Sequence, residues 1–373
     1  MSMASLIAQI DGIVRRYLVR LPSAAVTRLY SNNRDLFIDS FVESRPSPVA
    51  VPETAHLTLW GIDFRAPLFN AAGMFKDGRG YELCARQGAG AWLAGTTTAI
   101  PRKGNLRAGA VKPFAPYPLS GAASNWQGLP NPGHAVVAER LAGIQRHVDC
   151  PIGASLSSDP GVESDIARRG LLDGLRAYEN AGVDFIEINE SCPNTEESTD
   201  EFEHMVNRLE FVSGEFVQKR KRHLPLIVKF STDTDPSQAP ELIDVLLRLG
   251  FDGVNFGNTS TQYAVHRSAI AAPELPLYDY FSATFGGGVS GRPLKQASLD
   301  LVRAAKRHLN SRGGHHEFHI IRTGGIETAA DVEQSLDAGA SLCQWYSGYF
   351  EAYSRSGDQV YARLWNRLKQ LTA

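Results

Sequence analysis

From residue 55 onward the chain repeats one theme eight times: a short run of β-branched or small apolar residues, then a helix-like stretch. The runs are LFNAA (68–72), AWLAG (91–95), PIGASL (151–156), DFIEIN (184–189), PLIVKFS (225–231), DGVNF (252–256), FHIIRTG (318–324) and SLCQWY (341–346). Helical patterns fall at 79–88, 134–147, 163–181, 200–221, 237–249, 293–309 and 328–338, and a last one at 350–371 closes the chain. Strands that alternate with helices lie parallel, because each helix carries the chain back across the sheet. Eight such units fit an α/β fold of the (β/α)8 TIM-barrel type better than a doubly wound sheet. The expected domain plan is a helical extension over 1–45 and a barrel domain over 55–373.

Composition narrows the class of partner. With 373 residues, 43% hydrophobic and 21% charged, the chain has the make-up of a folded protein with a sizeable core. A formal charge of -2 gives no field for nucleic acid. Cys84, Cys150, Cys192 and Cys343 lie far apart with no CxxC or Cys/His cluster. That excludes a disulfide scaffold and leaves no expected metal site. Free thiols point to a reducing compartment, and the localisation expected is cytoplasmic. No apolar run reaches the roughly 18 residues that a membrane span needs.

The extension carries its own signal. Over residues 4–21, Leu6, Ile10, Ile13, Val14, Tyr17, Leu18 and Leu21 form one helical stripe, and a second amphipathic stretch covers roughly 23–42. Two readings follow: a cap packed on the barrel, or an interfacial helix pair that seats the protein on the inner face of a membrane.

Barrels of this type work at the C-terminal ends of their strands. Near those ends stand Asn70, Ser155, Asn189, Lys229, Asn258 and Thr323. Polar side chains converging on one rim suit a flat, polar, anionic ligand. Glycine signals add a phosphate site: FGGGVSGRPLK (285–295) opening a helix, RTGG (322–325), and YSG (346–348) between strand and helix. Glycine lets backbone N–H groups approach phosphate oxygens, and a helix N-terminus favours the anion. Gly286, Gly288 and Gly291 also match GxGxxG, but the preceding YDYFSAT is too polar and short for the strand that a dinucleotide fingerprint requires.

The sharpest motif is Glu187-Ile188-Asn189-Glu190-Ser191-Cys192-Pro193-Asn194, leaving the fourth run. Asparagine offers a donor and an acceptor, which suits a pyrimidine edge. A cysteine thiolate can take a proton. Here the chain resembles the dihydroorotate dehydrogenase family. Asn189 to Asn194 is similar to its N-x-S-C/S-P-N stretch, and Asn125 to Asn131 to its N-x-x-G-x-x-N stretch. Lys229, Asn258-Thr259, Gly287 to Gly291, Gly324-Gly325 and residues 338–344 follow in family order.

The resemblance implies oxidation of dihydroorotate to orotate in pyrimidine biosynthesis by an FMN enzyme. Cys192 would take the C5 proton while C6 delivers hydride to flavin N5. Lys76, Asn125, Asn189, Asn194, Asn258 and Thr259 would hold the substrate. Ala72, Gly73, Thr96, Ser155, Asn189 and Lys229 would line the flavin. Gly288, Gly324, Gly325, Tyr346, Ser347 and Gly348 would take its phosphate. Cys192 resembles the base of the soluble class 1 enzymes. AAGMFKDG (71–78), YSG and the N-terminal extension resemble the membrane-bound, quinone-using class 2. The acceptor implied is therefore a quinone, with fumarate or NAD as alternatives. Another reduced pyrimidine as substrate, or a non-catalytic flavin-binding barrel, are the competing readings.

Overall fold

The computed structural model describes residues 2–190 and 201–371. All eight runs form strands of one parallel sheet: β1 Leu68–Asn70, β2 Trp92–Thr97, β3 Ile152–Leu156, β4 Phe185–Asn189, β5 Leu226–Phe230, β6 Gly253–Phe256, β7 His319–Thr323 and β8 Leu342–Trp345. Their order around the sheet is β1-β8-β7-β6-β5-β4-β3-β2. Sequential neighbours joined by helices give the right-handed crossovers of a (β/α)8 barrel.

The seam between β1 and β2 is sealed differently from the rest. Asn70 is fully buried, and its carboxamide accepts from Leu93 N at 3.1 Å and donates to Leu93 O at 2.8 Å. The side chain thus does what a neighbouring strand's backbone does elsewhere. Backbone bonds close the seam on either side, Gly90 N to Leu68 O and Gly73 N to Gly95 O.

Alternation of side chains along each strand sorts interior from exterior. The lower interior is apolar: Phe69, Leu93, Phe185, Ile227, Ile321 and Leu342 pack with Trp60 and Phe64. Those last two come from a hairpin, Leu57–Leu59 with Ile62–Phe64, that plugs the N-terminal end of the barrel. Trp60 Nε1 donates to Asp252 O at 3.1 Å. Gly153 makes room for the plug's neighbour, since a Cβ there would stand 2.3 Å from the Phe185 ring.

Two sequence expectations are revised. FGGGVSG does not lead straight into a helix: Gly288–Gly291 is a strand, antiparallel to Ala122–Asn125, which also pairs with Phe114–Tyr117. The ribbon brings Asn125 and the glycine run to one wall of the mouth. The last helical pattern is two helices, Ser347–Ser356 and Val360–Leu371, broken at Gly357 with φ 52°.

The extension is two helices, α1 Met3–Leu18 and α2 Ser23–Val42. The large apolar stripe of α1 does not face the barrel. Ala4, Ser5 and Ala8 are buried instead, and a Cβ on Gly12 would lie 3.1 Å from Ser354. Small residues four apart let α1 lie close against Ser347–Ser356. Arg15 pins the contact on Glu351 at 2.5 Å and Ser354 at 2.9 Å. Ile7, Ile10, Ile13 and Tyr17 are left exposed. No helix among the described residues is long and apolar enough to cross a membrane.

Candidate active site

Interior positions that are apolar low in the barrel turn polar one step higher. In β4, Phe185, Glu187 and Asn189 share the inward face; in β5, Ile227 and Lys229; in β7, Ile321 and Thr323; in β8, Leu342 and Gln344. The resulting layer centres on Glu187, 1% exposed. Its carboxylate accepts from Asn255 Nδ2 at 2.7 Å, Gln344 Nε2 at 2.8 Å, Ser155 Oγ at 3.3 Å and Lys229 Nζ at 3.4 Å. Lys229 also reaches Gln344 Oε1 at 3.4 Å. A charged pair so deeply buried is tolerable only because the remaining acceptor sites are occupied.

Above this layer opens a cleft lined by Ala72, Gly73, Lys76, Thr96, Asn125, Asn189, Lys229, Asn258, Thr259, Gly324, Gly325, Tyr346, Ser347 and Gly348. Fourteen of the expected site residues thus meet in one place. Side-chain amides chain across the strands: Asn258 Nδ2 donates to Asn189 Oδ1 at 3.0 Å, and Asn189 Nδ2 points to Thr96 Oγ1 at 3.4 Å. Lys76 Nζ donates to Gln127 Oε1 at 2.7 Å. Thr259 Oγ1 is buried with no hydrogen-bond partner among the described residues, which is costly unless a ligand completes it.

Two expected residues stand off the cleft. Ser155 lies behind it, bonded to Thr96 Oγ1 at 3.0 Å and to Glu187. Gly288 pairs with Asn125 in the ribbon, and Ser290 and Gly291 line the wall instead. Ser290 Oγ lies 2.9 Å from Ser347 Oγ. Cys192 and Asn194 lie outside the described residues. The other three cysteines are buried and do not line this cleft. Burial pushes the thiols of Cys150 and Cys343 up to about 11, and raises that of Cys84 well above its ordinary value, so none of these can supply a thiolate base near neutral pH. Glu190 is engaged by Arg208 through both Nε at 3.0 Å and Nη2 at 2.7 Å.

Glu187, Gln127, Asn255 and Gln344 had been given no role from sequence. The signal was present for one of them: Glu187 sits two residues before Asn189 in an apolar run, so both must face inward.

The glycine positions fit a phosphate-bearing cofactor. A Cβ on Gly348 would stand 2.0 Å from Ile326 O, and one on Gly325 would stand 2.5 Å from Lys295 Cα. Backbone therefore forms that end of the cleft, and the first turn of Ser347–Ser356 offers unpaired N–H groups.

Comparison with known proteins agrees with this geometry. The family model for dihydroorotate dehydrogenase matches residues 54–368. A dihydroorotate dehydrogenase (quinone) of Arthrobacter sp. is 29% identical over 88% of this chain and 88% of its own length. One from Synechococcus sp. is 33% identical over 78% of this chain and 73% of its own length. The dihydroorotate dehydrogenase of Eimeria tenella, solved with ferulenol, shares the fold with a TM-score of 0.72 at 24% identity, over 91% of this chain and 90% of that one. The chain belongs to the dihydroorotate dehydrogenase family of oxidoreductases.

Proposed function

We propose that the chain oxidises dihydroorotate to orotate in pyrimidine biosynthesis, with FMN in the barrel mouth and a quinone as electron acceptor. The observation that carries the reading is the cleft itself. A buried lysine, a row of asparagine amides and an unsatisfied threonine hydroxyl lie beside a glycine-lined end. When bound, FMN supplies an acceptor at N5 for the hydride that leaves C6 of the substrate. Ala72, Gly73 and Thr96 flank the flavin, and Gly324, Gly325, Tyr346, Ser347 and Gly348 hold its phosphate. Lys229, paired with Glu187 beneath it, presents its ammonium at the floor of the cleft as a donor to negative charge that grows there.

Asn125, Asn189 and Asn258 orient the substrate ring, Thr259 Oγ1 gains its missing partner, and Lys76 meets the substrate carboxylate. Asn194 would add to the amide set. Cys192 follows Asn189, a cleft residue, by three positions, and is the proposed base for the C5 proton. Cys192→Ser should keep flavin bound but slow its reduction at neutral pH, because serine is far harder to deprotonate. Equal reduction rates in stopped flow across the pH range would remove Cys192 from that role. The exposed stripe of α1 supports a seat on a lipid surface, where a quinone is dissolved.

The deciding experiment is anaerobic. Flavin-loaded protein mixed with dihydroorotate should bleach within the dead time or shortly after. Reduced protein should then be reoxidised faster by a quinone than by fumarate or NAD. Loaded protein that does not bleach would move the substrate to another reduced pyrimidine.

A further inference from the structure

Arg322 is fully buried on β7, on the face opposite Thr323, and so outside the cleft. All five of its N–H donors are used. Nε donates to Ser298 Oγ at 3.0 Å, and Nη1 to Ser335 Oγ at 2.7 Å and Asp331 O at 3.4 Å. Nη2 donates to Lys295 O at 3.0 Å and Gly324 O at 2.9 Å. Every acceptor is neutral. Two neighbouring charges are engaged with other partners, Lys295 with Asp331 and Arg292 with Glu327. Arg322 has no carboxylate within ion-pair distance among the described residues. The Asp331 carboxylate, already held by Lys295, acts on Arg322 only at longer range, so the buried guanidinium is only partly compensated.

The geometry of the Gly324–Gly325 peptide shows where that charge acts. Arg322 Nη2 and Ser298 Oγ converge on Gly324 O, the latter at 3.0 Å. In a trans peptide the N–H points opposite to the C=O. Holding Gly324 O back toward Arg322 therefore turns Gly325 N–H forward, into the cleft that Gly324 and Gly325 line. Gly324 at φ 122° and Gly325 at φ 69° permit this plane. Gly325 N–H has no protein acceptor among the described residues.

We infer that Arg322 is a positioning residue for a phosphate dianion: it fixes the Gly324–Gly325 peptide and supplies, one peptide plane behind it, a buried positive charge. It rests on the reading that a flavin phosphate occupies this end of the cleft. Its consequence is selection of FMN over riboflavin by a side chain that touches neither.

The test is a titration of apo-protein with FMN and with riboflavin, followed by quenching of flavin fluorescence. Arg322→Met should weaken FMN at least about tenfold and leave riboflavin nearly unchanged, with Arg322→Lys recovering part of the loss. Equal weakening of both flavins, or of neither, would overturn the inference. If the variant does not fold, the phosphorus resonance of FMN bound to wild-type protein decides. It should stay that of the dianion through the region near pH 6 where a free phosphate monoester takes up a proton, about 6. A bound phosphate that titrates like the free one overturns the inference. Wild-type protein that binds neither flavin removes the cofactor reading, and this inference with it.

Discussion

Lys229 and Arg322 are both buried cations beside the same cleft, yet they are compensated in opposite ways. Lys229 has Glu187 at 3.4 Å inside the barrel. Arg322, on the outer face of β7, has only neutral acceptors. The first charge is neutralised by the fold itself. The second is held by neutral acceptors and only partly compensated by Asp331, which Lys295 already engages. One cation is therefore paired directly, while the other is not.

The largest expected effect comes from breaking the compensated pair. Glu187→Ala leaves the Lys229 ammonium buried alone and should cost about 3–5 kcal/mol in urea unfolding. Pairing it with Lys229→Met should cost less than the two single changes added together. Strict additivity would mean that the pair is not an electrostatic unit.

A buried base that stays neutral gives the next comparison. His134 bonds Thr97 Oγ1 at 2.8 Å, its Nε2 is buried without a partner among the described residues, and burial lowers its pKa to about 4. The unfolded chain takes up this proton near the ordinary value of about 6.5, so the folded state loses stability as pH falls from 6.5 toward 4. The loss should approach about 3 kcal/mol. It should shrink in His134→Gln when unfolding midpoints at pH 7 and pH 5 are compared. A midpoint difference that is the same in both proteins would show that His134 is not the group responsible.

Arg322→Met should have a smaller effect on the apo-protein, about 1–2 kcal/mol from its lost hydrogen bonds, since no ion pair is broken. The gap between variant and wild type should widen once FMN is added. A penalty as large as that of Glu187→Ala in apo-protein would erase the contrast between the two cations.

The same contrast marks what sequence could and could not reveal. The eight strands were legible because short runs rich in β-branched and small apolar residues recur between helical patterns, and the cleft residues because many of them end those strands. The plug at the barrel's base was not, since strands of three residues carry almost no periodicity. Arg322 lies inside RTGG, where only the glycines carry a recognisable phosphate signal. Only the inward placement of Thr323 shows that its neighbour is driven outward, between β7 and its helices. The stripe on α1 was legible as a stripe, but its pattern left open whether it packs on the barrel or faces outward. Three small residues, Ala4, Ala8 and Gly12, decide which side of the helix can approach the barrel.

The carboxamide of Asn70 has a consequence for how the barrel breathes. Elsewhere around the ring, amide protons are guarded by a neighbouring strand, and their exchange with solvent requires two strands to part. At the seam, the Leu93 amide proton is guarded by one side chain. In Asn70→Ala that proton should exchange with deuterium well before its neighbours on β2, with the rest of the ring still slow. The seam adjoins the loop that carries Gly73 and Lys76, so local opening there would be felt first at the wall of the cleft rather than at its floor.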